Sequence, residues 1–272
     1  MNRDQEIWHL NNNYLLSYEI RPSGDLPPNL HSHRSYEIFI LESGATTLLV
    51  GDKLFPIVQR DILLITPETI HKNNGGIQHH RYAVHFTMNY LRKYFDETVC
   101  QEITSIIQNN KLTMRIGAFK RILEILGSMQ TEFGSKYSYI HLAELLTIIS
   151  NPANCTIPHQ QTENKIVQSI MDYINSDYTT ITGLDDIASH VHISKEYLCQ
   201  IFKKETGITV SHYLNGVRIQ NACEILKQGK SNIMETAILC GYNSSMYFCK
   251  MFKSIVNMTP KEYQKSVSVG AL

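Results

Sequence analysis

Tyr197-Leu-Cys-Gln-Ile-Phe-Lys203 and Tyr247-Phe-Cys-Lys-Met-Phe-Lys253 carry one residue pattern twice in this chain. Tyrosine, cysteine, phenylalanine and lysine recur at an offset of fifty residues (247 − 197), and so do Thr209 and Thr259. In each copy the apolar residues share one face of a helix and the polar residues share the opposite face. The repeat therefore predicts two helical units of the same design.

Each unit is predicted to contain two helices joined by a short turn. The first helix of the first copy is indicated by an apolar stripe at i, i+3, i+4 and i+7, formed by Leu184, Ile187, Ala188 and Val191. Thr182 and Asp185 are the expected capping box at its start. Ser194 is the expected N-cap of the second helix, and Gly241 lies where the turn of the second copy favours glycine. Tandem helix-turn-helix units follow from this pattern.

The segment between the copies reads as one connecting helix, Leu214 to Lys227, which ends at Gly229. After the second copy, Thr259-Pro260-Lys261-Glu262 supplies an N-cap, a proline at the first helical position and a carboxylate at the third. The connecting helix would hold the second helix of one unit at a fixed distance from the second helix of the other. Both are then expected to enter the major groove of duplex DNA one helical turn apart.

The charge of the C-terminal part agrees with this expectation. Residues 194–272 contain ten Lys/Arg and five Asp/Glu, a net charge of +5, whereas the whole chain is neutral. A local positive excess favours contact with phosphates. A helical bundle that binds another protein is the alternative, because helix-turn-helix shapes also occur away from DNA.

The second copy resembles the DNA-binding domain of the AraC/XylS family of transcription regulators. The resemblance rests on Gly241-Tyr242-Asn243-Ser244-Ser245-Met246-Tyr247-Phe248-Cys249-Lys250-Met251-Phe252-Lys253, followed by Thr259-Pro260 and Tyr263-Gln264. Asn257 stands where the family usually has glycine, and Gln264 stands where it usually has arginine. Asn257 is tolerable because asparagine adopts left-handed geometry more readily than other non-glycine residues.

Helical phase and the match to the family's reading helices give the expected DNA contacts. The residues expected to face bases are Glu196, Cys199, Gln200, Ser245, Met246, Cys249 and Lys250. The residues expected to contact phosphates are Ser194, Lys204, Ser244 and Lys253. Glu196 would repel phosphates and could accept a hydrogen bond from a cytosine amino group.

The residue pattern of the N-terminal part favours strands and not helices. Short runs rich in β-forming residues are separated by turn residues, and they comprise Tyr36–Leu41, Thr46–Val50, Leu54–Val58, Ile62–Thr66 and Arg81–Thr87. This spacing predicts an antiparallel β-barrel or jelly roll. The expected fold class is α+β, in which this barrel and its following helices precede an all-α tandem helix-turn-helix domain.

His31, His33, Glu37 and His71 fall on the predicted barrel and resemble the two conserved motifs of the cupin fold. Imidazole and carboxylate groups that converge in a barrel can bind Zn, Mn or Fe, but AraC-like sensors resemble this pattern and usually hold no catalytic metal. We expect these four residues to line an effector pocket with neither metal nor cofactor. The alternatives are that these histidines are structural, that the four residues bind a metal, or that the protein is a metal-dependent enzyme. The sequence does not determine which face of the sheet His85 occupies.

Domain boundaries follow from composition. Residues 1–150 are the expected sensor. Its apolar helical stripes between Asn89 and Ser150 are expected to pack in the core of the same chain or, as the resemblance to the family implies, to form a dimer contact. Residues 151–162, with two prolines, are the expected linker, and residues 163–268 the DNA-binding domain.

Composition limits the class of protein. A hydrophobic fraction of 43% supports packed cores, and the six cysteines show no C-x-x-C spacing, which favours reduced thiols. No apolar signal region or membrane-spanning stretch is visible. We expect a cytoplasmic regulator without enzymatic activity whose partners are duplex DNA, a small-molecule effector such as a sugar, a second copy of the chain and RNA polymerase.

Overall fold

The computed structural model describes residues 14–21, 29–76, 79–107, 111–132, 138–157 and 164–268. In these residues the N-terminal part contains nine strands, and each is antiparallel to its neighbours. They are β1 (Tyr14–Arg21), β2 (Tyr36–Ser43), β3 (Ala45–Val50), β4 (Lys53–Val58), β5 (Asp61–Ile65), β6 (His71–Gly76), β7 (His79–Phe86), β8 (Lys111–Met114) and β9 (Cys155–Thr156). The sequence predicted β2, β3, β4, β5 and β7 to within three residues at each end.

The strands form two open sheets. The larger sheet has the order β1-β7-β2-β5-β8-β9, and the smaller has the order β4-β3-β6. The predicted fold class, α+β with an antiparallel β domain before an all-α domain, is confirmed. Closure into a barrel was the wrong detail, because in the described residues β3 pairs only with β4 and β6, and no ladder joins the two sheets.

Strand β2 explains why the larger sheet is buried on both faces. Phe39 and Leu41 lie in a core between the two sheets, whereas Ile38 and Ile40 face a core shared with helices. Side chains alternate across a strand, so covering both faces produces the continuous apolar run Ile38–Leu41.

Four helices cover the outer face of the larger sheet: α1 (Met88–Tyr94), α2 (Glu97–Ile107), α3 (Ile116–Thr131) and α4 (Ser138–Ser150). Ile122 and Leu126 of α3 and Leu145 of α4 are buried there, as their stripes predicted. Ile116 and Ile140, which belonged to the same stripes, are 75% and 49% exposed.

The first half of the predicted linker joins the N-terminal sheet. Residues 152–154 form a short 3-10 helix, and β9 pairs with β8 through Met114 and Cys155. Residues 158–163 lie outside the described part of the chain. The domain boundaries given above stay a prediction.

The C-terminal domain is all helical. Its elements are α5 (Lys165–Asp177), α6 (Leu184–His190), α7 (Lys195–Thr206), α8 (Val210–Gln228), α9 (Ile233–Leu239), α10 (Ser245–Val256) and α11 (Pro260–Ser268). Helices α6 and α7 form the first predicted unit, α9 and α10 the second, and α8 the connector. None of the helices in the described ranges combines the length and the apolarity needed to cross a membrane.

Equivalent positions of the two sequence repeats have the same backbone conformation. Gly207 and Asn257, fifty residues apart, cap the C-termini of α7 and α10 in the left-handed region, with φ of 69° and 60°. His192 and Gly241 occupy the two inter-helix turns with φ of 56° and 79°. Asparagine therefore provides the left-handed residue that the glycine usual at position 257 would provide.

Capping confirms most of the predicted helix starts. Ser194 and Ser244 accept hydrogen bonds from the backbone N–H of the residue three positions later, and Thr259 and Glu262 form their capping box. The predicted capping carboxylate of α6 was wrong: Asp186, and not Asp185, accepts hydrogen bonds from the Thr182 and Gly183 backbone. Asp185 lies one position earlier and pairs with Lys195 at the surface.

Replacing Phe252 with alanine is expected to lower the free energy of unfolding by about 3–5 kcal/mol, because the buried ring leaves a cavity. Its centroid lies 5.7 Å from that of Phe248 and 5.5 Å from that of Tyr263. Met246→Ala, on the same helix, is the matched control, since Met246 is 82% exposed. That change is expected to stay within about 0.5 kcal/mol. Chemical denaturation measures both variants, and equal losses would contradict the assignment of the two faces.

Candidate functional site

The outer faces of α7 and α10 are the candidate DNA-reading surfaces. In α7, Leu198 and Phe202 are buried, while Glu196 and Gln200 are exposed and Cys199 is half-buried. Opposite faces of one helix thus separate packing from recognition. The three outward residues of α7 lie where the sequence placed them, and their contacts with bases stay a prediction.

Helix α10 repeats this division. Phe248 and Phe252 are buried, and the outward set is Ser245, Met246, Cys249 and Lys250, of which Cys249 is half-buried and the others exposed. The first two turns of α10 therefore present small, apolar and basic side chains on the outward face. Such a mixture suits contact with base edges in a groove.

The predicted phosphate contacts lie at the ends of the same helices. Ser194 and Ser244 are the N-caps of α7 and α10, and both are exposed. Lys204 and Lys253 are exposed near the C-terminal ends of these helices. Hydroxyl and ammonium groups at these positions are able to donate to phosphate oxygens.

Two polar residues on α8, the half-buried Arg218 and the buried Asn215, connect the segment before α6 with the second unit. Sequence reasoning did not single them out. Arg218 donates hydrogen bonds of 2.9 Å to Tyr178 O and 2.7 Å to Ile181 O, before α6, and its guanidinium lies over the Tyr242 ring of the second unit. Asn215 accepts a hydrogen bond of 2.9 Å from the Tyr242 hydroxyl. The connector thus holds both units by side-chain contacts as well as by its length.

The four predicted effector residues of the N-terminal domain come together in one cluster. Glu37 Oε2 lies 2.9 Å from His33 Nε2 and 3.2 Å from His71 Nε2. The His31 and His71 ring centroids are 4.2 Å apart. His85 joins this group, because it lies beside Glu37 across the β2–β7 pairing, and its ring centroid is 4.8 Å from that of His33. We call these five residues the histidine cluster.

Backbone carbonyls orient three rings of the cluster. The Nδ1 atoms of His31, His33 and His71 each lie 2.9 Å from a carbonyl oxygen, those of Asn29, Ser35 and Thr69 respectively. A carbonyl oxygen only accepts hydrogen bonds, so Nδ1 carries the proton in each ring. In the neutral rings the lone pair is then on Nε2.

Burial shapes the electrostatics of the cluster. Burial alone would raise the pKa of the Glu37 carboxyl, but the charge of His85 and the contacts with His33 and His71 hold it well below its usual range. Burial, with repulsion from His71, lowers the pKa of His31 to about 3. Burial also lowers the pKa of His85 to about 4. Near neutral pH, the cluster therefore contains an anionic carboxylate beside the neutral rings of His31 and His85.

Two segments of the N-terminal domain connect the histidine cluster with the C-terminal domain. The backbones of His31 and His71 exchange two hydrogen bonds, of 3.1 and 2.8 Å. Next to His31, the backbone N–H of Ser32 donates to Ile255 O of α10 at 3.1 Å. Next to His71, Lys72 Nζ donates to Gly207 O, at the end of α7, at 2.7 Å. Each segment therefore contacts the C-terminal end of one reading helix.

Further buried contacts close the same interface. The buried Glu68 carboxylate contacts the Tyr263 hydroxyl and Lys227 Nζ of the C-terminal domain. Leu30 and Ile70 belong to the apolar core of the helices and approach α8 at Gly216. A Cβ atom at Gly216 would lie 2.6 Å from Leu30 Cδ2 and 3.0 Å from Ile70 Cδ1, so any larger residue would require these side chains to move. No periodicity or motif in the sequence pointed to Ser32, Glu68 or Lys72.

Comparison with known proteins agrees with the geometry of the C-terminal domain. Residues 187–266 match the family model described as a helix-turn-helix domain. The transcriptional regulator YijO of Escherichia coli, which is uncharacterized, is 29% identical over 152 residues, which cover 56% of this chain and 53% of that protein. The chain thus spans about half the length of that relative.

Longer matches extend over both domains. The transcriptional activator RhaR of Mannheimia succiniciproducens is 26% identical over 249 residues, covering 88% of this chain and 87% of that protein. The regulator YfiF of Bacillus subtilis, also uncharacterized, is 24% identical over 246 residues, covering 85% and 77%. Both relatives are named as helix-turn-helix regulators. Residues 187–266, which contain the two repeated reading helices, thus match a helix-turn-helix domain, and the chain is similar over both domains to proteins named as helix-turn-helix transcriptional regulators.

Proposed function

We propose that this protein binds specific DNA sequences through α7 and α10 and that an effector bound at the histidine cluster controls this binding. The observation that carries the proposal is the contact of the cluster's two segments with the C-terminal ends of both reading helices. Effector binding at the cluster would thus act on the two reading helices through these two hydrogen bonds. The family of the relatives supports the DNA-binding part.

Recognition would combine base contacts with phosphate contacts. The outward residues of α7 and α10 would read the major groove, while the two N-cap serines and Lys204 and Lys253 would fix the register on the backbone. Lys250 is the basic residue in the outward set, so guanine is its expected base. Glu196 would accept from a cytosine amino group.

Control would act by a shift of populations. The contacts of Ser32 and Lys72 favour one arrangement of the reading helices, and an effector that prefers this arrangement raises its population. An effector with equal affinity for both arrangements would have no influence. The sign of regulation depends on which arrangement fits the DNA site.

Assembly is a further part of the proposal. The exposed Ile116 of α3 and Ile140 of α4 lie on the helices that follow the sheets and would form part of a homodimer contact. Two copies would extend the DNA site. RNA polymerase is the expected partner of the DNA-bound protein, and the cytoplasm the expected compartment.

Lys250→Ala is expected to weaken DNA binding by about 1–3 kcal/mol and to relax the preference at one base pair. The test selects binding sites from random duplex DNA and then compares affinity and footprint. Lys261→Ala is the matched control, because Lys261 is an exposed lysine on α11, outside the reading helices. An identical footprint and affinity for Lys250→Ala would remove this residue from the reading surface.

Salt dependence tests the phosphate contacts. The affinity for the selected site is expected to fall by about 10³-fold or more between about 50 and 200 mM salt, because released counterions drive binding. Fluorescence anisotropy at several salt concentrations measures the slope. Binding that does not respond to salt would contradict an interface dominated by phosphates.

A further inference from the structure

We propose that a cleft between the two helix-turn-helix units binds one phosphate group of the DNA backbone, at a position between the two half-sites that α7 and α10 read. The cleft lies between the segment before α6 and the turn before α10, and Arg218 of α8 forms part of its wall. Of the residues expected from the sequence to contact DNA, Ser244 also lines this cleft. The inference rests on the proposed function, because it adds to DNA binding a contact that both units share.

The walls of the cleft come from different units. Its volume is about 620 Å³, and its lining includes residues 179–182 before α6 and residues 241–244 of the second inter-helix turn. Gly241 permits the close approach of these two segments, because its φ is 79° and a Cβ atom there would lie 2.6 Å from Thr179 O. The shape of the cleft therefore depends on the relative position of the two units.

Arg218 supplies the charge of the cleft. Among the described residues, neither aspartate nor glutamate lines the cleft, and Arg218 forms no ion pair with a carboxylate there. Its Nε and Nη2 atoms donate to Tyr178 O and Ile181 O, whereas Nη1 has no hydrogen-bond partner in the same part of the chain. Burial lowers the pKa of Arg218, but a guanidinium stays protonated near neutral pH. A half-buried positive charge without a counter-ion favours an anion in the cleft.

Other hydrogen-bond donors line the same cleft. The exposed side chains of Thr179 and Asn243 have no hydrogen-bond partner within the described ranges. Ser244 Oγ accepts a hydrogen bond from the Tyr247 backbone, so its hydroxyl proton is available to another acceptor. A backbone phosphate has only acceptor oxygens, and it suits a group of donors that includes a planar guanidinium.

The position of Ser244 favours DNA as the source of the phosphate. Ser244 is the N-cap of α10, and the next two residues, Ser245 and Met246, belong to the outward set. In helix-turn-helix proteins the N-terminal residues of the second helix contact base edges in the major groove, and phosphates border that groove. A DNA strand at the N-terminus of α10 would therefore pass the cleft.

The apolar part of the cleft favours a nucleotide unit over a free ion. Ile238 and Tyr247 line the cleft and are 65% and 47% exposed. The deoxyribose rings on either side of a backbone phosphate would cover these side chains, whereas a free phosphate ion would leave them in water. A phosphate bound by both units would also fix the distance between α7 and α10 on DNA without reading a base.

The experiment uses the full chain and a DNA site selected from random duplexes. Each backbone phosphate between the two half-sites is replaced in turn by an uncharged methylphosphonate, and fluorescence anisotropy measures the affinity. We expect one replacement to weaken wild-type binding by about 10-fold or more, because a charge-assisted hydrogen bond is lost. In Arg218→Gln the same replacement is expected to change the affinity by less than about 2-fold, since this variant has already lost the contact.

Control variants separate the charge of Arg218 from its structural role. Arg115→Gln removes the same charge from an exposed arginine of the N-terminal domain and is expected to leave the sensitivity to every methylphosphonate unchanged. Arg218→Lys keeps the charge and is expected to keep the sensitivity at the one phosphate. Circular dichroism checks the fold of each variant. If Arg218→Gln does not fold, Asn243→Ala takes its place and is expected to reduce the sensitivity at the same phosphate.

The outcomes separate this inference from the proposed function. Equal sensitivity of the wild type and Arg218→Gln at every phosphate between the half-sites would overturn the phosphate site, although selective DNA binding itself would stand. Inorganic phosphate is tested in parallel. If it raises the melting temperature of the wild type but not of Arg218→Gln, and no DNA phosphate is coupled to Arg218, the cleft binds a soluble phosphate and the proposal is rejected. If the chain binds no DNA sequence selectively, the proposed function fails and the phosphate site fails with it.

Discussion

Two backbone hydrogen bonds between His31 and His71 are the constraint on which the rest of the arrangement depends. They hold together two segments from different parts of the N-terminal domain. One segment continues into Ser32, which bonds the end of α10, and the other into Lys72, which bonds the end of α7. The side chains of the same two histidines belong to the cluster. A single short bridge therefore couples the candidate effector site to both reading helices.

The DNA-binding domain is suited to such coupling because its two units are tied to one connector. Arg218 bonds the segment before α6 and lies over Tyr242 of the second unit, and Asn215 accepts from the Tyr242 hydroxyl. The reading helices also contact α8 directly, through the Phe202 ring against Tyr213 and through the Tyr247 hydroxyl, which accepts a hydrogen bond from Asn215. At their C-terminal ends both helices contact the N-terminal domain. Their outward faces stay accessible to solvent. Because each reading helix contacts both α8 and the N-terminal domain, a small shift at the cluster would change the position of one reading helix relative to the other.

Local physics explains how much of this was predictable from sequence. Helical periodicity and capping residues act within one or two turns, so the repeated units and the left-handed Asn257 were predicted correctly. Strand positions were predicted for the same reason. Closure of the sheets and the inward position of His85 depend on pairing between distant strands, which a single sequence does not fix. Glu68 and Lys72 were missed because isolated polar residues carry no periodic signal, and their partners lie in the other domain.

The contact between Ser32 and Ile255 gives the most direct test of the account, because the amide and its acceptor belong to different domains. We would measure hydrogen exchange at the Ser32 amide in the full chain and in Gly216→Val, whose side chain would collide with Leu30 and Ile70. The account predicts strong protection at Ser32 that falls in the variant, while amides of strand β2 keep theirs. An unprotected Ser32 amide, or protection unchanged by Gly216→Val, would contradict the coupling of the histidine cluster to the reading helices.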